Sequence, residues 1–262
     1  MNFELKGKVA IIGGSSKGLG KACAVSLAKE GANIVICAND LNSLNETKKE
    51  IEALGVSVLA VFADMSSEAD NTKIIQETIS TFGRIDILIN NSGGPRPGTF
   101  SEITIEDWDS AYNSVLKYNI RMIRGCLPHM EKNLWGRIIN ITSLSVKEPA
   151  PTLILSNVFR SGVVSLAKSL SKELIGKGIT INNICPGAFK TDRAVELMQN
   201  RADKTGITVE EVEQQAVSSF PQKRYQNPEE LGDLICFLAS NRASAITGTT
   251  IQIDGGISVG LL

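Results

Sequence analysis

Short apolar runs alternate along the whole chain with longer stretches in which apolar residues recur every three to four positions. The runs are rich in Val and Ile and lack regular polar alternation, a pattern that predicts parallel strands buried on both faces. Seven strands are predicted, at Val9–Ile12, Asn33–Cys37, Ser57–Phe62, Ile85–Asn90, Gly136–Thr142, Thr180–Cys185 and Thr250–Ile253. Six helices are predicted between them, at Leu19–Glu30, Leu41–Leu54, Glu68–Phe82, Ile105–Glu131, Asn157–Ile175 and Glu229–Leu238.

This alternation of strands and helices predicts an α/β fold, with a doubly wound (Rossmann) parallel sheet and helices on both faces. No repeat, low-complexity stretch or linker interrupts residues 1–262, so we expect one domain. The polar segment around 191–226 is broken by Gly206 and Pro221, and it indicates an insertion near the carboxyl ends of the strands. We interpret it as a mobile lid, with a plain helical insert at the surface as the alternative.

Composition narrows the class of protein. Of the 262 residues 42% are apolar, and 27 basic against 28 acidic residues give a net charge of -1, which argues against a nucleic-acid partner. The five cysteines are scattered without a C-x-x-C pair, so neither a disulfide framework nor a metal site is expected. No apolar run reaches the ~20 residues of a membrane helix, and the first residues carry no apolar signal core. We therefore expect a cytoplasmic protein that acts on a small molecule and has no membrane partner.

A glycine-rich loop joins the first predicted strand to the first predicted helix. Its sequence is Gly13-Gly14-Ser15-Ser16-Lys17-Gly18-Leu19-Gly20. Such a turn lets backbone N–H groups approach a pyrophosphate, and the helix dipole favours the negative charge there. Glycines also serve ordinary tight turns, but the strand–loop–helix–strand context favours a dinucleotide site. The residues predicted to bind the cofactor here are Gly14, Ser16, Lys17, Gly18, Leu19 and Gly20.

Further motifs follow the later strands. They are Asp64 after the third strand, Asn90-Asn91-Ser92-Gly93 after the fourth, Pro186-Gly187 with Thr191 after the sixth, and Asp254-Gly255-Gly256 near the C-terminus. Together with the spacing Gly14-x-x-x-Gly18-x-Gly20, these motifs resemble the short-chain dehydrogenase/reductase family over essentially the whole chain, and its 3-oxoacyl-ACP-reductase-like members in particular. The resemblance implies a nicotinamide cofactor that is also held by Asp64, Asn91, Gly93, Pro186, Gly187 and Thr191.

The end of the second strand bears on the choice between NAD and NADP. An acidic residue there accepts the ribose hydroxyls of NAD, and a basic one pairs with the NADP phosphate. Alignment to the family puts the NAD-type Asp at Ala38 and the NADP-type Arg at Asn39, so neither is present. Lys17 resembles the basic loop residue that reaches the 2′-phosphate in NADP-using members. We predict NADP, with contacts from Lys17 and Asn39; NAD is the alternative, in which case Lys17 is only a solvated lysine.

The catalytic residues of the family are largely replaced. In the family a Tyr is the general acid, a Lys four residues later lowers its pKa, a Ser orients the carbonyl, and an Asn anchors a relay water. Ser143 matches the Ser. Ser156 stands at the Tyr position, Arg160 at the Lys position and Val115 at the Asn position. A serine hydroxyl is a far poorer proton donor than a phenol, whereas Arg160 stays charged and offers five donors. The candidate catalytic residues are therefore Ser143, Ser156 and Arg160.

Neighbouring residues are given ordinary roles. Asn119 is not the missing Asn, because counting from Trp108 and from the later Leu-Pro-His-Met segment places that position at Val115 both times. Tyr112 and Tyr118 lie one helical turn to either side of Val115, and we expect them to serve helix packing rather than proton transfer.

Three functions remain open. The first is an NADP-dependent oxidoreductase acting on a small carbonyl or alcohol through the altered site, and we favour it. The second is a catalytically silent dinucleotide-binding protein, a sensor or a subunit; lyase or isomerase chemistry without net redox change is a third. Arg96 either attracts an acidic substrate or is a solvated loop residue. Because the family commonly forms dimers and tetramers, and the apolar end Ile257–Leu262 suits an interface, we expect a homo-oligomer, with a homotetramer as the specific prediction.

Overall fold

A seven-stranded parallel sheet forms the centre of the protein. The computed structural model describes residues 2–261, so Met1 and the last residue of the predicted interface segment, Leu262, lie outside the described part. The strands are β1 (Val9–Ile12), β2 (Asn33–Ala38), β3 (Val58–Phe62), β4 (Ile87–Asn90), β5 (Gly136–Ile141), β6 (Ile179–Pro186) and β7 (Thr250–Ile253). Their order is β3-β2-β1-β4-β5-β6-β7, and every neighbouring pair runs parallel, as the buried apolar runs predict.

Helices cover both faces of this sheet. They are α1 (Gly18–Lys29), α2 (Leu41–Glu52), α3 (Glu68–Phe82), α4 (Ile105–Ala111), α5 (Tyr118–Lys132), α6 (Ile154–Leu174), α7 (Asp192–Thr205), α8 (Val209–Val217) and α9 (Pro228–Ala239). Helices α1, α2 and α9 contribute to the core on one face, and α3, α5 and α6 to the core on the other. The predicted doubly wound α/β fold is therefore confirmed.

Alternate residues of each strand serve the two faces. Ala10 and Ile12 of β1 pack toward α1 and α9, whereas Val9 and Ile11 pack toward α5 and α6, and all four are buried. A strand covered on both sides loses the polar alternation of a half-exposed one. This is why the sequence could identify the strands but could not tell which of the two alternating sets of residues faces which layer of helices.

A row of buried amides crosses the sheet near the carboxyl ends of its strands. Asn90 of β4, Asn140 of β5 and Asn183 of β6 are paired in register. Asn90 Nδ2 donates to Asn140 Oδ1, and Asn140 Nδ2 donates to Asn183 Oδ1, both at 2.9 Å. Asn183 Nδ2 continues the row to Thr250 Oγ1 of β7 at 3.3 Å. A one-residue slip of any strand would turn its amide to the other face, so the row helps to fix the register.

The helix predicted at Ile105–Glu131 is a continuous helical segment from Ile105 to Lys132, but it is not regular throughout. A π-helical turn at Tyr112–Lys117, which the sequence did not predict, lies between α4 and α5. A π turn inserts an extra residue while the apolar spacing on each side remains helical, so the pattern gives no warning of it. The other predicted boundaries differ from the observed ones by at most three residues.

Asp86 lies directly before one of these shifted boundaries. The predicted strand at Ile85–Asn90 begins at Ile87 instead. The Asp86 carboxylate accepts the Val9 N–H at 2.9 Å and pairs with Arg84 at 2.7 Å. Asp86 thus serves as a buried anchor at the amino end of the sheet.

The polar segment at 191–226 contains α7 and α8. Threonine side chains cap the N-terminus of both helices. Met198, Ala202 and Val212 form a small core of their own between the two helices. The segment is therefore helical, with an internal apolar face too narrow to stand out in its composition. Its motion as a lid stays a prediction.

The five cysteines are free thiols buried in the core. Among residues 2–261, no group of three or more His, Cys, Asp or Glu side chains is arranged to hold a metal, and no helix is long and apolar enough to cross a membrane. Burial raises the pKa of Cys126 and of Cys236 to about 12, and it also raises those of Cys23 and Cys37. Unfolded thiols ionise near 9.0. The stabilisation from holding these protons is therefore complete below pH 9 and is lost as the pH rises from there toward about 12.

We predict that the free energy of unfolding falls between about pH 8 and about pH 10, by about 1.4 kcal/mol for each buried thiol. Urea denaturation in the presence of a reducing agent measures this. Cys126→Ala should remove the share of one thiol from the pH dependence. Met122→Ala, a buried packing change one turn away on α5, should lower stability equally at both pH values. A Cys126→Ala variant with the full wild-type pH dependence would contradict the assignment.

Candidate active site

The glycine loop lies at the carboxyl end of β1, where α1 begins. Gly14 and Gly18 adopt left-handed backbone conformations, with φ of 52° and 59°, which only glycine adopts without strain. Gly20 is buried against the other side of the turn, and a Cβ there would collide with the carbonyl oxygen of Gly14. The first and third glycines of the motif are therefore in contact, and Gly20 supports the loop from behind.

Hydrogen bonds with three other elements hold the loop in place. Asn91, just after β4, donates from Nδ2 to the carbonyl oxygens of Gly13 at 3.1 Å and Gly14 at 3.0 Å. Ser15 Oγ accepts the N–H of Cys37 in β2 at 3.0 Å. Thr47 of α2 donates to the Ser16 carbonyl at 2.8 Å. Sequence reasoning found Asn91 but missed Ser15 and Thr47, because isolated small polar residues carry no spacing signal.

The N-terminus of α1 is suited to an anion. Its N-cap residue, Lys17, makes no side-chain cap, and the first turn holds no acidic residue. The Gly18 N–H is instead 3.3 Å from Oδ2 of Asp192, at the start of α7. Unsatisfied N–H groups and the helix dipole together favour a negative group at this position.

One cavity beside the loop gathers the residues predicted to hold the adenosine half of the cofactor. Its lining includes Gly14, Ser16, Lys17, Asn39, Asp64 and Gly93. Lys17 Nζ is 3.2 Å from Asp40 Oδ2, and both side chains are exposed. Hydrogen bonds from Ser43, followed by the Lys17 contact, lower the pKa of Asp40 to about 2. Asp40 was missed at the sequence level because alignment drew attention to Ala38 and Asn39.

A second cavity continues toward the end of β5. Its lining includes Gly14, Gly18, Leu19, Asn91, Gly93, Arg160, Pro186 and Thr191. The structure therefore brings together most of the predicted nicotinamide-side residues. Gly187 instead packs against the backbone of Asp254, and its N–H donates to the Ile253 carbonyl at 2.9 Å. Its small size serves this close contact between β6 and β7.

Arg160 is a buried cation in the wall of the second cavity. Its Nη1 donates to the carbonyl oxygens of Ile141 at 2.9 Å and Thr142 at 2.8 Å, at the end of β5. Its residue exposure is 9%, and among residues 2–261 no carboxylate pairs with it. Its Nε has no hydrogen-bond partner in the same range. Burial lowers the pKa of Arg160 to about 10, so the side chain remains charged at neutral pH.

The two candidate catalytic serines meet through a third serine. Ser143 Oγ accepts the backbone N–H of Ser145 at 3.1 Å. Ser145 Oγ is 3.0 Å from Ser156 Oγ, and both residues are buried. Ser145 was missed by sequence reasoning, and the signal that could have found it is its place two residues beyond Ser143 in the same turn.

The π-helical turn carries the position where the family has its Asn. The Val115 carbonyl oxygen accepts a hydrogen bond from Asn119 Nδ2 at 2.8 Å, so the Asn119 side chain satisfies a backbone group one turn earlier. Tyr118 is completely buried, with its hydroxyl against Gly13, and burial raises its pKa. Tyr112 packs against Phe159 with ring centroids 6.1 Å apart. Both tyrosines therefore serve packing, as expected.

Arg96 is a paired loop residue in this structure. Its Nη1 contacts Asp107 Oδ2 at 2.5 Å and the Glu102 carbonyl at 3.1 Å. Asp107 also belongs to the capping box that begins α4. The local ion pair accounts for Arg96 without a ligand.

Comparisons with known proteins agree with this geometry. A family model described as Enoyl-(Acyl carrier protein) reductase matches residues 14–258. The NADPH-dependent reductase BacG of Bacillus subtilis is 35% identical over 251 residues, covering 95% of this chain and 97% of BacG. The chain belongs to the short-chain dehydrogenase/reductase family. Within this family it is also 31% identical to the 3-oxoacyl-[acyl-carrier-protein] reductase FabG of Thermotoga maritima, covering 98% of this chain and 100% of FabG.

A solved structure in the same family matches along the full length. It is the L-sorbose reductase of Gluconobacter frateurii in complex with NADPH and L-sorbose, with a TM-score of 0.96, 32% identity and 100% of both chains covered. The predicted family is thus confirmed, while the roles of the individual site residues stay predictions.

We predict that Gly20→Ala weakens NADPH binding by at least about tenfold, because the new methyl group must push Gly14 and the loop out of place. Fluorescence titration of NADPH measures the dissociation constant. Gly176→Ala is a matched control, since Gly176 is exposed and a Cβ there meets nothing within 4 Å. Equal weakening in both variants, or none in Gly20→Ala, would contradict this role of the loop.

Proposed function

We propose that this short-chain dehydrogenase/reductase is an NADPH-dependent reductase of a small carbonyl compound. The NADPH dependence stated for its relatives and the two cavities around the glycine loop support the cofactor. The N–H groups of Gly18 and Leu19 would hold the pyrophosphate, Lys17 the 2′-phosphate, and Pro186 and Thr191 the nicotinamide end. NADPH, when bound, supplies a hydride for the carbonyl carbon. The residues of the chain supply position and charge.

Arg160 is the observation that carries this proposal. A buried charge without a paired carboxylate costs several kcal/mol unless oxygen atoms surround it. Two backbone carbonyls hold one side of its guanidinium, which fixes the plane, and the residue borders the cavity with its charge uncompensated. An oxygen-rich ligand, either a ribose hydroxyl or the oxygen of the substrate carbonyl, would complete its surroundings. Arg160 would then stabilise negative charge that develops on that oxygen.

The serines would orient the same oxygen. Ser143 and Ser156 each contact Ser145, so the three residues form one connected polar group. A serine hydroxyl has too high a pKa to act as the family's phenol does, and Arg160 keeps its proton at neutral pH. The proton that completes the alcohol would therefore come from water or from a hydroxyl of the substrate. The protein would polarise and position the substrate carbonyl, and the solvent or the substrate would donate the proton.

A silent dinucleotide-binding protein is the second candidate. It is favoured by the buried hydrogen bond between Ser156 and Ser145 and by the cover that Asn119 gives to the Val115 carbonyl. Both contacts give these groups partners within the protein, so neither group needs a ligand. Such a protein would bind NADPH as a sensor or a subunit and would not oxidise it.

Three further expectations accompany the proposal. The α7–α8 segment would act as a lid over the cavity that Thr191 borders. A second copy of the chain would cover the apolar groove between α5 and α6, which is lined by Ile120, Leu127 and Leu170 among others, giving a dimer or tetramer. Location in the cytoplasm remains the expectation drawn from the sequence.

We expect the protein to oxidise NADPH with at least one member of a panel of small aldehydes and ketones, followed by nicotinamide absorbance. Ser143→Ala should lower kcat by at least about tenfold while the NADPH dissociation constant stays unchanged. Arg160→Met should lower both kcat and the affinity for NADPH or substrate. Ser161→Ala, an exposed serine beside Arg160, is the matched control and should keep full activity.

Binding of NADPH without turnover of any panel member would favour the silent protein instead. In that case, the double variant Ser156→Tyr with Arg160→Lys tests whether restoring the family's Tyr and Lys creates activity. Activity that appears only in this double variant would show that the binding half of the site is intact and that the proton-transfer half was missing.

We also predict that Lys17→Ala weakens NADPH binding by about tenfold and NADH binding by less than about twofold, because only NADPH carries the 2′-phosphate. Lys29→Ala, at the exposed far end of α1, controls for a general loss of positive charge. Titrations of both cofactors give the ratio. Tighter binding of NADH than of NADPH by the unaltered protein would overturn the preference.

A further inference from the structure

The first residue of α7 touches the start of α1, 174 positions away in the chain. Asp192 Oδ2 accepts the Gly18 N–H at 3.3 Å. Thr191 lies directly beside it, so that a Cβ on Gly18 would be 3.7 Å from the Thr191 side chain. The base of the α7–α8 segment is thus docked on the glycine loop rather than merely near it.

This contact places a carboxylate where a phosphate is expected. Helices α2, α3, α4, α7 and α8 are each capped by the side chain of their own N-cap residue. Helix α1 has no such cap and no acid in its first turn, and Asp192 supplies the missing anion from another element. A carboxylate and a phosphate use the same two features of a helix start, its free N–H groups and its positive dipole end. Two anions cannot both occupy it without strong repulsion.

We propose that Asp192 is an internal substitute for the pyrophosphate, an autoinhibitory latch that cofactor binding must release. The proposal rests on the cofactor site assigned above, since it needs the pyrophosphate at Gly18. In this arrangement the Asp192 carboxylate accepts the Gly18 N–H and holds the start of α7 against the loop. The arriving pyrophosphate competes with the carboxylate for Gly18, and the α7–α8 segment moves because Asp192 is its first helical residue.

Titration of NADPH into Asp192→Asn tests the latch. Asparagine keeps a side-chain oxygen and removes the charge, so the variant should bind NADPH about three- to tenfold more tightly than the unaltered protein. Asp203→Asn, an exposed acid near the other end of α7, makes the same change in net charge and should bind within about twofold of the unaltered protein. Unchanged or weaker binding in Asp192→Asn would overturn the proposal.

Limited trypsin digestion gives an independent measurement, since α7 carries Arg193, Arg201 and Lys204. NADPH should change the rate of cleavage in α7 of the unaltered protein. Cofactor-free Asp192→Asn should already show the NADPH-bound rate. A rate that NADPH does not alter in the unaltered protein would count against the latch.

The same experiments separate the latch from the proposed reaction. Tighter binding in Asp192→Asn, together with no turnover on the carbonyl panel, would support the latch and refute the reductase. Failure of both proteins to bind NADPH would overturn the cofactor site and the latch together.

Discussion

The carboxamide of Asn91 is the contact on which the site depends. It bonds two successive carbonyls of the glycine loop, and so it ties the turn after β1 to the end of β4. Those carbonyls must face away from the cavity if the N–H groups at the start of α1 are to face into it. The close approach of Gly14 and Gly20 leaves no room for a side chain in the turn. Gly14 and Asn91 both line the second cavity, so this bend forms part of its wall.

Features formed by contiguous residues could be predicted from the sequence, whereas contacts between separate elements could not. The β1–loop–α1 unit was predicted correctly because its apolar run, glycines and helix are contiguous. The assignment of Arg160 to the family's Lys position came from counting between flanking motifs, and it stays a prediction. The π-helical turn was not found, because the apolar spacing on either side of it is unbroken. The contact of Asp192 with Gly18, the pair of Lys17 with Asp40 and the link through Ser145 depend on distances between separate elements. No spacing along the chain encodes those distances.

The predicted replacement of the family's Tyr and Lys by Ser156 and Arg160 implies a different chemistry at the site. A Tyr–Lys pair moves a proton, and its usefulness depends on a pKa brought near the working pH. Arg160 and the serines offer instead a charge at a fixed place and a set of neutral hydroxyls. Such a site is suited to stabilising an oxyanion and poorly suited to neutralising it. Under this proposal, water or the substrate would supply the proton that the family's Tyr usually donates.

The row of amides across β4, β5 and β6 fixes the register of these three strands. Asn91 follows Asn90 by one residue, Ser143 follows Asn140 by three, and Pro186 follows Asn183 by three. All the amides donate in the same direction, so none can be reversed without reversing its neighbours. Because the three strands are held in one register, the residues that follow them, Asn91, Ser143 and Pro186, are held in fixed positions relative to one another. A change in this row would shift the strands relative to one another and would so move the residues that follow them, even if every residue in the site were left untouched.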